Sequence, residues 1–265
     1  MTIADFGQQV LISLLTTFFY GLGLPLFFSW VLTIINRNSK QVLASHFGIN
    51  SQVYLGALGI IIHESSHLLM ALLFAHKITG VRLIKFAHPQ QAPDDPEALT
   101  LGYVNHRWNS GSTYQTMGNF FIGFAPIVGV SVLIFGLTAW LLPTVSANWL
   151  AFAVNPQVGT LFHAPVTNIP IGAAMIHILV WLVFVTNLSV GGFDLSSADL
   201  RNSSTGLATY TLLLGLIGLS AGLLQWPVAT WAQHHLLPIY LALSVVVAIS
   251  GVVNIAIHWI TKTKF

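Results

Sequence analysis

Six stretches of this chain stay apolar for about the 20 residues that a helix needs to cross the hydrocarbon core of a bilayer. In that solvent each backbone N–H and C=O must be satisfied within its own segment, so every such stretch has to be helical. They cover residues 10–35, 55–76, 115–142, 171–190, 207–224 and 236–260. Composition agrees: 55% of residues are hydrophobic and 6% charged, with a mean hydropathy of +0.78, whereas soluble chains carry about 25% charged residues. The sequence therefore predicts an all-α polytopic membrane protein, read as a single domain over 1–265. A formal charge of +2 and a pI near 9.0 then bear on orientation in the membrane, not on nucleic acid. No cysteine is present, which excludes disulfides and thiolate metal ligands. The amino terminus has no basic n-region and no small-residue cleavage site, so the first stretch reads as an uncleaved span.

Within the first span, Gly21, Gly23 and Pro25 predict a kink or break near its middle. In the third, Gly118, Gly123 and Gly129 allow close helix approach. An amino terminus in the cytoplasm puts Lys77, Arg82, Lys85, Arg107, Arg201, Lys262 and Lys264 inside and only Arg37 and Lys40 outside. That asymmetry predicts both termini in the cytoplasm. The polar insert 78–114 separates the second and third spans. In it Val81-Arg82-Leu83-Ile84-Lys85-Phe86 and Thr100-Leu101-Gly102-Tyr103-Val104-Asn105 read as two short strands. A loop bearing Pro93, Asp94, Asp95, Pro96 and Glu97 joins them, giving a hairpin at the membrane surface. Such an edge can take up an extended peptide as an added strand. The apolar, uncharged stretch 143–170 reads as a loop lying on the membrane, with Trp149 and Phe152 at the interface.

The second span carries His63-Glu64-Ser65-Ser66-His67. On a helix the two histidines, four residues apart, share one face and can hold one metal ion. Glu64 beside the first of them is placed to act as general base toward water on that metal, which is the zinc-hydrolase pattern. With 11 His and two Glu in 265 residues, shuffling produces this pattern about 0.003 times per chain, so coincidence explains it poorly.

A catalytic zinc needs a third protein ligand and an open position. Of the seven acidic residues, Asp5 is terminal, Asp94, Asp95 and Glu97 belong to the loop, and Glu64 is the base. Asp194 and Asp199 remain, just past the fourth span, where Gly191 and Gly192 let the chain break from helix and turn back. Either can ligate, and either can simply cap a helix. A third histidine six residues after His67, as in metzincins, is absent, because that position is Leu73. His76 lies about two and a half turns beyond His67, too far to share the ion. His177 and His258 are intramembrane and weaker candidates.

An HExxH inside an early span, a strand-like segment after it, and a later span ending in an Asn-to-Asp motif, Asn187 to Asp199, resemble the site-2 protease family of intramembrane zinc metalloproteases. The resemblance implies a zinc held by His63, His67 and one of Asp194 or Asp199, with Glu64 as base and Asn187 near the site as a donor to the oxyanion. The family's Asn-x-x-Pro and Leu-Asp-Gly are not reproduced: Val190 stands at the proline position, and neither aspartate precedes glycine. Leu195-Ser196-Ser197-Ala198-Asp199 is similar to a Leu-Ser-x-Ala-Asp segment of a divergent bacterial branch, which favours Asp199. The stretch from Tyr114 to Gly123 is similar to the same branch.

The function expected is hydrolysis of peptide bonds in membrane-spanning protein or peptide substrates, in a bacterial plasma membrane. The second reading is a non-proteolytic metal-binding scaffold or a permease. Against a permease stands the lack of an internal repeat, and a scaffold has no use for Glu64.

Overall fold

The computed structural model describes residues 3–91, 98–162 and 170–262. Its helices are α1 (Ile3–Phe18), α2 (Leu24–Phe47), α3 (Ser51–Leu73), α4 (Thr113–Leu141), α5 (Pro143–Val154), α6 (Ile171–Gly192), α7 (Ser197–Leu223), α8 (Val228–His235) and α9 (Leu237–Lys262). Two antiparallel strands, β1 (Lys77–Arg82) and β2 (Tyr103–Arg107), form a small sheet between α3 and α4. Six helical stretches are long and apolar enough to cross a membrane: Asp5–Phe47, Ser51–Leu73, Thr113–Leu141, Ile171–Gly192, Ser197–Leu223 and Leu237–Lys262. The protein is an all-α, multi-pass membrane protein with one surface hairpin.

The chain forms two compact units. The first comprises Met1–Phe28, Ser131–Leu182 and Ala208–Val245. Here the glycines expected to kink the first span produce a π-helical turn, Phe19–Gly23, rather than an end to the helix. Two tyrosine hydroxyls bond the carbonyls at that turn, Tyr210 to Gly21 O at 2.9 Å and Tyr240 to Tyr20 O at 2.5 Å. The segment expected as a surface loop contains α5, and Trp149 is buried rather than interfacial, tilted against Phe135. The indole N–H of Trp181 on α6 donates to Thr138 Oγ1 on α4, so this unit's buried polar atoms find one another.

The second unit comprises Ser29–Val130, Val183–Leu207 and Val246–Phe265. The first span does not stop near residue 35, as hydropathy suggested, but runs helical to Phe47 with Arg37 and Lys40 inside it. Asp194 pairs with both cations, at 3.2 and 3.4 Å. Arg37 and Lys40, assigned to the outer side, meet an aspartate assigned to the inner end of the fourth span.

The centre of this unit is the crossing of α3 on α6. A Cβ on Gly59 would lie 2.7 Å from Asn187 O, and one on Gly56 would lie 2.8 Å from Gly191 N. Gly191 and Gly192 remain within α6, so they serve close approach instead of breaking the helix. The chain leaves helix only after them, at Phe193, and re-enters at Ser197.

The hairpin is present with different bounds. Strands expected at 81–86 and 100–105 pair instead as Lys77↔Arg107 through Arg82↔Tyr103, with a bulge between Ile78 and Gly80. Ala75, at φ 56°, turns the chain sharply out of α3, so pairing begins within two residues of the turn. One further bond, Lys85 N–H to Leu101 O at 2.8 Å, extends the ladder past β1. The expected loop residues Pro93, Asp94, Asp95, Pro96 and Glu97 lie outside the described residues, as do His163 and Lys264.

Candidate metal centre

His63 and His67 sit one turn apart on α3, both buried, with ring centroids 4.7 Å apart. Each ring is oriented by a backbone carbonyl at its far nitrogen. His63 Nδ1–H donates to Gly192 O at 2.9 Å, and His67 Nδ1–H donates to Ile122 O at 2.7 Å. A carbonyl only accepts, so both Nδ1 atoms carry the proton and both Nε2 lone pairs are free. The close α3–α6 crossing brings Gly192 O within reach of His63, so the glycine packing sets the ligand geometry.

The two Nε2 atoms are 3.1 Å apart, and Asp199 faces them, Oδ1 at 3.1 Å from His67 Nε2 and Oδ2 at 3.7 Å from His63 Nε2. Three acceptors thus converge in a buried place with no donor among them. That arrangement is costly unless a cation lies at its centre. The group His63, His67 and Asp199 could hold a metal ion, with ligand atoms all within 4.8 Å of one another. Two imidazoles and one carboxylate, each imidazole backed by a carbonyl, suit a borderline divalent ion.

Asp199 does two things at once. Its Oδ2 accepts from Ser196 N–H at 2.7 Å while Ser196 Oγ accepts from Asp199 N–H at 3.1 Å. Ser196-Ser197-Ala198-Asp199 is thereby a capping box starting α7. Capping and ligation, weighed as rivals from the sequence, are compatible in one residue, because the cap holds the carboxylate toward the histidines. Asp194 does not join the group. It is bound between Arg37 and Lys40, with Arg37 Nη2 also donating to Leu195 O at 2.5 Å.

Asn187 is likewise engaged elsewhere. Gly56 departs from helical geometry at φ −133°, ψ 18°, which kinks α3. The Asn187 side-chain oxygen takes up the amides past this kink, from Leu58 at 2.9 Å and Gly59 at 3.3 Å. Its role here is to join α6 to the kinked helix, and it does not line the cavity beside the metal group. His258 bonds its own helix, Nδ1–H to Asn254 O at 2.9 Å, as an intramembrane histidine in a bundle does.

A cavity of about 910 Å³ opens beside the group, lined by Glu64, Asp199, Arg37, Lys40, Gln52, Asn202 and hairpin residues from Leu99 to Trp108, with Thr79. Glu64 faces it under the segment leading into β2. A Cβ on Gly102 would lie 2.7 Å from Glu64 Cγ, so only glycine lets the hairpin lie this close.

Behind the hairpin runs a chain that the sequence reading did not anticipate. His76 Nε2–H donates to Gln115 O at 2.8 Å, leaving its Nδ1 to accept from His106 Nδ1–H at 2.9 Å. His106 Nε2 in turn accepts from Asn202 Nδ2–H at 3.0 Å. The order admits one proton arrangement, with both rings neutral. Burial, followed by the neighbouring His76, pushes His106 down to about 4. The chain ties β2 to α4 and to α7, one turn after Asp199. The sequence signal for it was a histidine just before β1 and another within β2.

No protein-family model, curated protein or solved structure matches the chain.

Proposed function

We propose that this protein is an intramembrane zinc metalloprotease of the site-2 protease kind, cutting peptide bonds of membrane-embedded protein substrates. The observation that carries the reading is the convergence of His63 Nε2, His67 Nε2 and Asp199 on one buried point, with Glu64 on the adjoining cavity wall. His63, His67 and Asp199 would hold the zinc. When bound, zinc supplies Lewis acidity that brings water toward a pKa of about 7 and polarises a carbonyl.

The chain's own residues do the rest. Gly192 O and Ile122 O hold both imidazoles in the ligating tautomer, and Ser196 holds the aspartate. Glu64 accepts the proton of the attacking water and delivers it to the leaving amine. The Gly102 segment, lying against Glu64, shields that carboxylate from the outer end of the cavity. The sheet offers an edge along which an unwound substrate segment can add as a strand. A peptide bond within a helix is protected by its own hydrogen bonds, so local unwinding must precede attack. We place the protein in a bacterial plasma membrane, with the hairpin toward the cytoplasm.

The test compares the wild type with Glu64→Gln in detergent or nanodiscs. The variant is expected to retain about one zinc per chain and to lose peptide cleavage by at least about a hundredfold. Cleavage at the wild-type rate in Glu64→Gln would sink the mechanism.

A further inference from the structure

Around the cavity beside the metal group, cations and carboxylates are equal in number but unevenly paired. Among the described residues lining it, the cations are Arg37, Lys40 and Arg107, and the carboxylates are Glu64, Asp194 and Asp199. Asp199 is committed to the histidine pair. Glu64 is the proposed base. Asp194 alone remains to serve both Arg37 and Lys40. A divalent ion on the histidine pair leaves the lining with two net positive charges. Lys40 is the telling member, because its side chain is only 13% exposed and its one ion-pair partner is shared. A half-compensated ammonium with so little access to solvent calls for an anion that enters with something else.

We infer that this anion belongs to the substrate: the cleft takes a peptide bearing a carboxylate, seated against Lys40 and Arg37. The inference rests on the peptidase reading and names the substrate class of that same site. The carboxylate is that of an Asp or Glu side chain near the scissile bond or of a free chain end. Lys40 is then a specificity-determining residue. It meets the substrate away from the reacting atoms and takes no part in proton transfer. A cationic or neutral peptide of the same hydrophobicity leaves the two positive charges unmatched and binds more weakly.

Binding and cutting are measured separately, so that the two readings fail separately. Zinc-loaded, full-length Glu64→Gln in phosphatidylcholine nanodiscs is titrated with synthetic apolar peptides. The reference peptide carries Gln and an amidated end; one set moves a single Glu along it, and another frees the terminal carboxylate. The expected result is that one Glu position or the free end binds about tenfold tighter than the reference. Which set gains identifies the source of the carboxylate. The advantage is expected to vanish in the Lys40→Met, Glu64→Gln double variant and to persist with Lys40→Arg, each still holding zinc. Equal binding of all peptides overturns the inference, as does an advantage that survives Lys40→Met. Loss of the advantage in phosphatidylglycerol discs also overturns it, by assigning the cations to lipid headgroups. Wild-type protein with the same peptides reports cleavage. Absent cleavage with the binding preference intact defeats the peptidase reading alone, and cleavage indifferent to Glu defeats this inference alone.

Discussion

Two aspartates five residues apart, each reachable from a break after the same helix, have opposite fates. Asp199 is the third residue of α7, where the capping box with Ser196 fixes its carboxylate and turns one oxygen to His67. Asp194 sits in the extended link and is taken by two cations of α2. Metal content is therefore expected to respond differently to each. Asp199→Asn keeps the capping acceptor but loses the anionic ligand, and should fall from about one metal per chain to near none without unfolding. Asp194→Asn should keep its metal while melting lower, because Arg37 and Lys40 lose their counter-charge. Elemental analysis beside a melting curve checks both. Metal retained in Asp199→Asn would move the third ligand elsewhere. The aspartate pair was legible from composition, since a chain so poor in acids has few ligands to offer. Choosing between them by physics needed Arg37 and Lys40, more than 150 residues away in sequence.

At the scale of elements, two joints set the site. The first is the α3–α6 crossing, where the backbones approach closely enough for Gly192 O to reach His63. Gly59→Ala puts a methyl 2.7 Å from Asn187 O, so the helices must part by more than a side chain can absorb. Overpacking of this kind costs about 1–3 kcal/mol. The expected outcome is a lower melting temperature with weakened metal binding. An unaltered metal affinity would show that the His63 to Gly192 bond does not govern the centre. The second joint is the chain Gln115, His76, His106 and Asn202, which holds β2 against the bundle. His106 titrates near 4 in the fold and near 6.5 when unfolded. The unfolded state thus binds the extra proton first as pH falls. Stability contributed by the neutral ring is present above about 6.5 and is lost progressively down to about 4. Melting temperatures of the wild type should fall over that window more steeply than those of His106→Gln, and parallel curves would remove His106 from the account.

At the scale of the whole molecule, the eight described Lys and Arg residues all belong to the unit that carries the metal group, and the other unit has none. On the proposed orientation, in which Lys and Arg gather on the cytoplasmic face, that unit's polar ends would face the cytoplasm. Because the chain lacks cysteine, single-cysteine labelling is clean. Lys85→Cys and Lys262→Cys should react with a membrane-impermeant maleimide only when the cytoplasmic side is exposed, and labelling from outside intact cells would reverse the assignment. What the sequence determined by itself follows from short-range chemistry. Apolar runs of bilayer length require helices, so the all-α multi-pass class was fixed by composition. A four-residue spacing on a helix puts His63 and His67 on one face, whatever the rest of the chain does. The length of the first helix was not legible, because the apolar run ends before Arg37 and Lys40 while the helix goes on to Phe47 with both paired to Asp194. Nor was the work of Asn187, whose amide oxygen answers a kink at Gly56 that hydropathy does not register. Tertiary structure alone decided which carboxylate meets the histidines, what shields Glu64 and where the hairpin is anchored. Each depends on a partner distant in sequence, and distance in sequence carries no information about contact until the helices have packed.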